Sequence, residues 1–181
     1  YERFRPFVHA LDKFPGPRAG DPAIDFTART LNSDHVRLSD YRGKTVVLET
    51  GSRSCIMYVP RVSAMNALAR RFPQVAWLVL YIREAHPGSK IPKHTTIAEK
   101  LRHAQQLQSE VDECRTILID DLNGTAHRLY GGLPNMLYVV NAHGVIIFRS
   151  DWANDRDVER VLSDQRANIR HTDRSPSRMP P

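Results

Sequence analysis

The chain has little cysteine. Cys55 and Cys114 stand far apart in its 181 residues, too few and too distant for a disulfide-stapled secreted scaffold or a cysteine zinc site. Its eight histidines lack the paired close spacing usual in metal sites, so neither a metal nor a cofactor is expected. Nine glycines are scattered without forming a phosphate-cradling loop. No apolar run approaches the roughly 18–20 residues of a membrane-spanning helix; the longest, Val75 to Ile82, is strand-sized. The chain begins at Tyr1, which leaves an upstream signal or anchor open. The expected location is therefore cytoplasmic or peripheral to a membrane.

What is present is ordinary globular composition, 41% hydrophobic and 25% charged, enough for one core. The formal charge of +6 gathers at the ends. Arg166, Arg170, Arg174 and Arg178 face one acidic residue, Asp173, in the last stretch, and Arg3, Arg5, Lys13 and Arg18 outnumber Glu2 and Asp12 in the first. Basic termini can dock on an acidic protein partner or lipid headgroups. A nearly neutral body argues against nucleic acid as a partner.

Residues 1–22 are punctuated by Pro and charge and read as an extended lead-in, residues 23–165 as one domain, and residues 166–181 as a basic, flexible tail. Within the domain, Ala23–Ala28 and Val36–Leu38 suggest short strands, and Thr45–Thr50 a central one. Apolar positions Val59, Val62, Met65, Leu68, Ala69 and Phe72 fit a helix over 55–72, with Pro60 expected to kink it or delay its start. Val75–Ile82 reads as a strand buried on both faces. Thr96-Ile97-Ala98-Glu99 fits a capping box opening a second helix with Ile97, Leu101, Ala104, Leu107 and Val111 inward. Thr116–Ile119, residues 136–140 and residues 145–149 read as strands, Asp121 as the cap of a helix through Tyr130, and Asn154 or Asp155 as the cap of the last helix. This β-α-β-α-β-α-β-β-α order implies an α/β fold with a mixed central sheet flanked by helices.

Cys55 stands between the central strand and the first helix, in Gly51-Ser52-Arg53-Ser54-Cys55. A helix N-terminus favours a thiolate through its unpaired N–H groups and dipole. A reactive Cys55 with a lowered pKa is therefore expected, the alternative being a small buried hydrophobe. A dithiol oxidoreductase would need a second cysteine where Tyr58 stands, and a peroxiredoxin would have Pro where Val47 stands.

The element order resembles the thioredoxin-like fold in its redoxin, or peroxiredoxin-type, form. Tyr130-Gly131-Gly132-Leu133-Pro134-Asn135-Met136 resembles the redoxin stretch in which a cis proline faces the helix-mounted cysteine, so a cis Pro134 beside Cys55 is expected. Three segments resemble iodothyronine deiodinases in particular. Gly51-Ser52-Arg53-Ser54-Cys55 is similar to their Gly-Ser-x-Thr-Sec signature, with cysteine for selenocysteine. Tyr81-Ile82-Arg83-Glu84-Ala85-His86 is similar to their Tyr-Ile-Glu-Glu-Ala-His stretch, and Ile91-Pro92-Lys93-His94 to a later Ile-Pro-x-His. The chain departs from the family at Ile56, where members carry Pro, at Asn135-Met136, where they carry Glu-Arg, and in the short Pro87–Lys93 loop.

The resemblance implies that Cys55 is the nucleophile, that Ser52 and Ser54 orient it or relay protons, and that Glu84, His86 and His94 contact substrate and deliver protons. Cys114 is either a resolving thiol for oxidised Cys55 or a buried strand-end residue. The implied activity is a thiol-dependent oxidoreductase acting on a small-molecule electrophile such as an iodinated phenol, with an external thiol as reductant. The chemistry is coherent, since a soft thiolate can take a halogen while a histidine protonates the carbon left behind. A thiol peroxidase or reductase with another substrate, and a catalytically silent redoxin-fold subunit, are the alternatives.

Overall fold

The computed structural model describes residues 15–172, with side chains through residue 165; the rest of the lead-in and of the tail lies outside the described residues. Strands β1 (Thr27–Thr30), β2 (His35–Arg37), β3 (Val46–Gly51), β4 (Ala76–Tyr81), β5 (Thr116–Ile119), β6 (Leu137–Val140) and β7 (Ile146–Ser150) form one sheet in the order β2-β1-β5-β4-β3-β6-β7. The three central strands β3, β4 and β5 are parallel. β1 joins β5 antiparallel, and β6 and β7 extend the β3 side antiparallel. Among the described residues four α-helices flank the sheet: α1 (Val62–Arg71), α2 (Ile97–Glu110), α3 (Thr125–Leu129) and α4 (Asp155–Thr172).

Period-two alternation sorts the core. Val46, Leu48, Leu78, Leu80 and Ile82 bury one face with Tyr130 and Tyr138, while Val47 and Trp77 pack against Met65, Leu68, Val158 and Leu162 of α1 and α4. Val79 and Tyr81 lie on that second face beside Cys55, Tyr58, Ala104 and Leu107, because successive strand residues point to opposite sides. The alternation of β4 thus places Tyr81 under the cysteine loop.

Several boundaries differ from the sequence reading. The α-helix after Cys55 starts at Val62, preceded by a 3₁₀ turn over Val59–Arg61 with Pro60 inside it. Proline has no N–H and its ring crowds the carbonyl four residues earlier, so no continuous α-helix runs back to Cys55, which keeps a single turn closed by the Val59 amide. α3 begins at Thr125 after Gly124, whose φ is +69°. Asp121 Oδ1 accepts from the Thr125 amide at 2.9 Å, while the Asp120 carboxylate accepts from the amides of Ala126 and His127 at 3.1 and 3.0 Å. α4 runs on to Thr172, past residue 166 where composition placed the start of the tail.

The inner part of the lead-in is fixed along β7. The amide of Gly20 donates to the Ile146 carbonyl, Ile146 donates to Asp21, and Ala23 donates to Gly144, at 2.8–2.9 Å. Arg149 Nη1 adds bonds to the carbonyls of Gly16 and Pro17.

Candidate active site

The C-terminal ends of β3 and β4 lie side by side, with Gly51 opposite Tyr81, and loops from both strands meet at Cys55. Such carboxyl edges are where open α/β sheets place their sites. Cys55 caps a turn, its amide donating to Ser52 and its carbonyl accepting from Val59, each at 3.1 Å. Gly51 is dictated by packing, since a Cβ there would meet the Tyr58 ring at 2.5 Å.

Glu84 organises the site. Its Oε2 accepts from the Ser54 amide at 2.9 Å and from Ser54 Oγ at 2.7 Å. Its Oε1 accepts from the Tyr81 hydroxyl and from His103 Nδ1, the latter at 3.1 Å. Burial pushes the carboxyl pKa up, but the hydrogen bonds from Tyr81, Ser54 and His103 outweigh it and hold it below the usual value. Burial and Glu84 push the Tyr81 hydroxyl far up. Ser52 Oγ accepts from the Ala85 amide at 3.1 Å, and Ser54 Oγ from the His86 amide at 3.1 Å. His86 Nδ1 lies 3.2 Å from the Ser54 carbonyl.

The structure thus brings Ser52, Ser54, Glu84 and His86 together around the cysteine loop. His86 is exposed and lines a groove of about 600 Å³ with Cys55, Ile56, Ile91, Arg53 and Lys90. His94 is different. It is buried behind Glu84, its Nδ1 4.0 Å from Glu84 Oε1 and without a hydrogen-bond partner. Burial, with Lys100 and His103 adding to it, lowers its pKa against the opposing pull of Glu84. Lys100 is itself pulled down to about 8 by burial.

Three expectations need correction. Pro134 does lie beside the cysteine, with Cys55 Sγ 3.9 Å from its carbonyl, but no peptide bond among the described residues is cis. Trans is the lower-energy state of an X-Pro bond, and the Leu133 carbonyl is held there by Thr50 Oγ1 at 3.2 Å and His127 Nε2 at 2.8 Å. The Cys55 thiol is pushed up in pKa, not down: its burial outweighs the amides of Tyr58 and Met57, and Glu49 and Glu84 push it further. A helix dipole acts only over the first turn, and the delayed helix puts Cys55 outside it. Cys114 is exposed and precedes β5, whose first residue pairs with Leu78 and whose last pairs with Tyr81. It therefore sits at the opposite edge of the sheet from Cys55, beyond the few ångströms that a disulfide requires.

The iodothyronine deiodinase family model matches residues 7–158. The chain belongs to this family. Its relatives include the thyroxine 5-deiodinase of Gallus gallus, 29% identical over 149 residues that cover 75% of this chain and 57% of that protein. The thyroxine 5-deiodinase of Sparus aurata is 30% identical over 123 residues, covering 61% and 46%. The chain therefore spans about half the length of the curated relatives it matches. Solved structures of lower identity share the fold. The thioredoxin domain of a thiol-disulfide oxidoreductase from Bacteroides vulgatus superposes with TM-score 0.63 at 14% identity, covering 81% of this chain and 99% of that one. A secreted disulfide oxidoreductase from Mycobacterium tuberculosis gives 0.60 at 18%, covering 76% and 95%. The fold is thioredoxin-like.

Within this deiodinase-family site, sequence reasoning missed His103, Tyr81 and a second buried cluster. The buried stripe of α2 is Lys100, His103, Ala104 and Leu107, a perfect i, i+3, i+4, i+7 set. Reading apolar letters alone rotated that face towards Ile97, Leu101 and Val111, which are only partly buried. The second cluster joins Arg115 to Glu49 at 2.5 Å and to Glu113 at 2.7 Å, with the Tyr58 hydroxyl donating to Glu113 at 2.5 Å. Asn135 Nδ2 donates to Glu49 at 2.8 Å, tying the segment after Pro134 to β3. Among the described residues no helix is long and apolar enough to cross a membrane.

Proposed function

We propose that this deiodinase-family chain is a thiol-dependent reductase in which Cys55 takes a halogen or other soft electrophilic atom from a small molecule seated in the adjoining groove. The convergence of Ser52, Ser54, Glu84 and His86 on the cysteine loop, at the mouth of an apolar groove edged by Arg53 and Lys90, supports this reading. With an iodinated phenol, the Cys55 thiolate forms an S–I bond as the C–I bond breaks, and the electron pair left on carbon takes a proton from His86, the exposed imidazole on the groove. An external thiol then displaces iodide to give a mixed disulfide, and a second thiol releases Cys55 and leaves as oxidised disulfide. Tyr58, where a dithiol enzyme has its second cysteine, makes an outside thiol the natural reductant.

The raised Cys55 pKa and complete burial of its side chain favour slow turnover, because the thiolate is the reacting form. The same observation favours a second reading, a silent redoxin-fold subunit. One experiment separates them: turnover of iodinated phenols and of peroxide by purified protein with a dithiol reductant, wild type against Cys55→Ser. Iodide release lost in the variant supports the first reading, and peroxide consumption alone would recast the protein as a peroxidase. No turnover, together with no alkylation of Cys55 in the folded protein, would establish the silent subunit.

A further inference from the structure

We infer that Glu84, His94 and His103 form a binding site for a divalent transition-metal ion of the zinc class, set behind the cysteine loop. One donor atom from each residue lies within 4.8 Å of the other two. Glu84 Oε1 is 3.1 Å from His103 Nδ1 and 4.0 Å from His94 Nδ1. Ligands at about 2.0–2.1 Å around tetrahedral zinc stand roughly 3.3 Å apart, so small side-chain rotations close the set. All three side chains are buried, and two imidazoles with one carboxylate make a borderline donor set suited to zinc. His94 carries the argument. A buried polar nitrogen without a partner is costly, and His94, a residue 6% exposed, holds its Nδ1 4.0 Å from this carboxylate without a hydrogen-bond partner.

The carboxylate is divided so that a metal need not disturb the cysteine loop. Oε2 holds Ser54, whereas Oε1 faces the histidines and also accepts from the Tyr81 hydroxyl. The three ligands come from the loop after β4, the residue pair before the Thr96 cap, and the buried stripe of α2. An ion there would clip the Pro- and Gly-containing segment between His86 and Thr95 to the body of the protein. Lys100 opposes a cation nearby, but its Nζ is turned to the Asp121 carbonyl at 3.0 Å and its charge faces Asp120 and Asp121.

The test uses protein in which Cys55 and Cys114 are both serine, so that no thiol competes for metal. Zinc and cobalt(II) are titrated by calorimetry and by cobalt absorption, with imidazole nitrogen NMR read in parallel. The expected result is one equivalent bound, with resonances of His94 and His103 shifted and that of His86 unmoved, and a rise in Tm. His103→Gln lowers affinity about 100-fold or more and abolishes the Tm rise. The NMR arm needs no ligand variant, so it stands even if His103→Gln folds poorly. No binding to the double-serine protein, or binding that leaves the His94 and His103 signals in place, would overturn the inference.

Discussion

Two buried polar clusters flank Cys55, and they are built on opposite plans. On one side Arg115 is clamped between Glu49 and Glu113, with Tyr58 and Asn135 closing the network. There every charge has an opposite charge in contact, and the one orphan atom is the amide oxygen of Asn135. On the other side Glu84 receives Tyr81, Ser54 and His103, while His94 stops short at 4.0 Å. A saturated network can only hold a shape. One with an open position and nearby imidazoles can accept an ion or move a proton. On this contrast we propose the Arg115 cluster as architecture and the Glu84 cluster as the place for chemistry.

The largest effect that sharpens this contrast is expected from Arg115→Met. Removing the shared guanidinium leaves buried carboxylates uncompensated, which costs about 3–5 kcal/mol, read as a lower midpoint in urea unfolding. A loss under about 1 kcal/mol would show that water already reaches this cluster. Next comes His86→Ala, expected to lower iodide release about 100-fold while shifting stability by no more than about 0.5 kcal/mol, as exposed substitutions do. Equal loss of folding and turnover would move His86 to the architectural side. Glu84→Gln should cost about 1–3 kcal/mol in unfolding free energy, because the donors of Tyr81, Ser54 and His103 would face a neutral amide.

The smallest effect concerns pH. Folding disfavours the Cys55 thiolate, so the alkylation rate of the folded protein should still be climbing where the urea-unfolded chain has levelled off. The linked stability is intact below the ordinary thiol pKa and declines as pH rises through the raised one, a decline that Cys55→Ser removes. An alkylation midpoint below about 8.5 would instead restore the helix-dipole account of this cysteine.

Much of the fold was legible in the chain. The near-continuous apolar run of β4, the Thr96–Glu99 capping box, observed with Glu99 donating to Thr96 Oγ1 at 3.1 Å, and the β6–β7 hairpin carry their own local signals. Cys55, Ser52, Ser54, Glu84 and His86 stand out in the chain through motif resemblance, and their proximity in the structure follows from adjacent parallel strands. Pro60 signals a late helix, and a late helix leaves the Cys55 thiol beyond the reach of its dipole. The Arg115 cluster was invisible because its partners lie in β3, the cysteine loop and the turn before β5, and sheet order alone brings them together. His103 carried a readable signal, since it occupies the buried stripe of α2, but a rule that seeks apolar letters passes over a histidine.

The inner lead-in, hydrogen-bonded along the start of β7, also bears on how copies of the protein meet one another. An open edge strand is a template for pairing with a second sheet. Here one margin is partly covered by the chain's own residues 20–23, and the other ends in β2, a strand of three residues whose Arg37 is bound to Asp25 at 2.6 Å. Continuous sheet formation between molecules is disfavoured at both margins. Among the described residues, helix and loop faces are then the surfaces left for self-association, and trimming the chain to residue 24 should make it aggregate faster on storage.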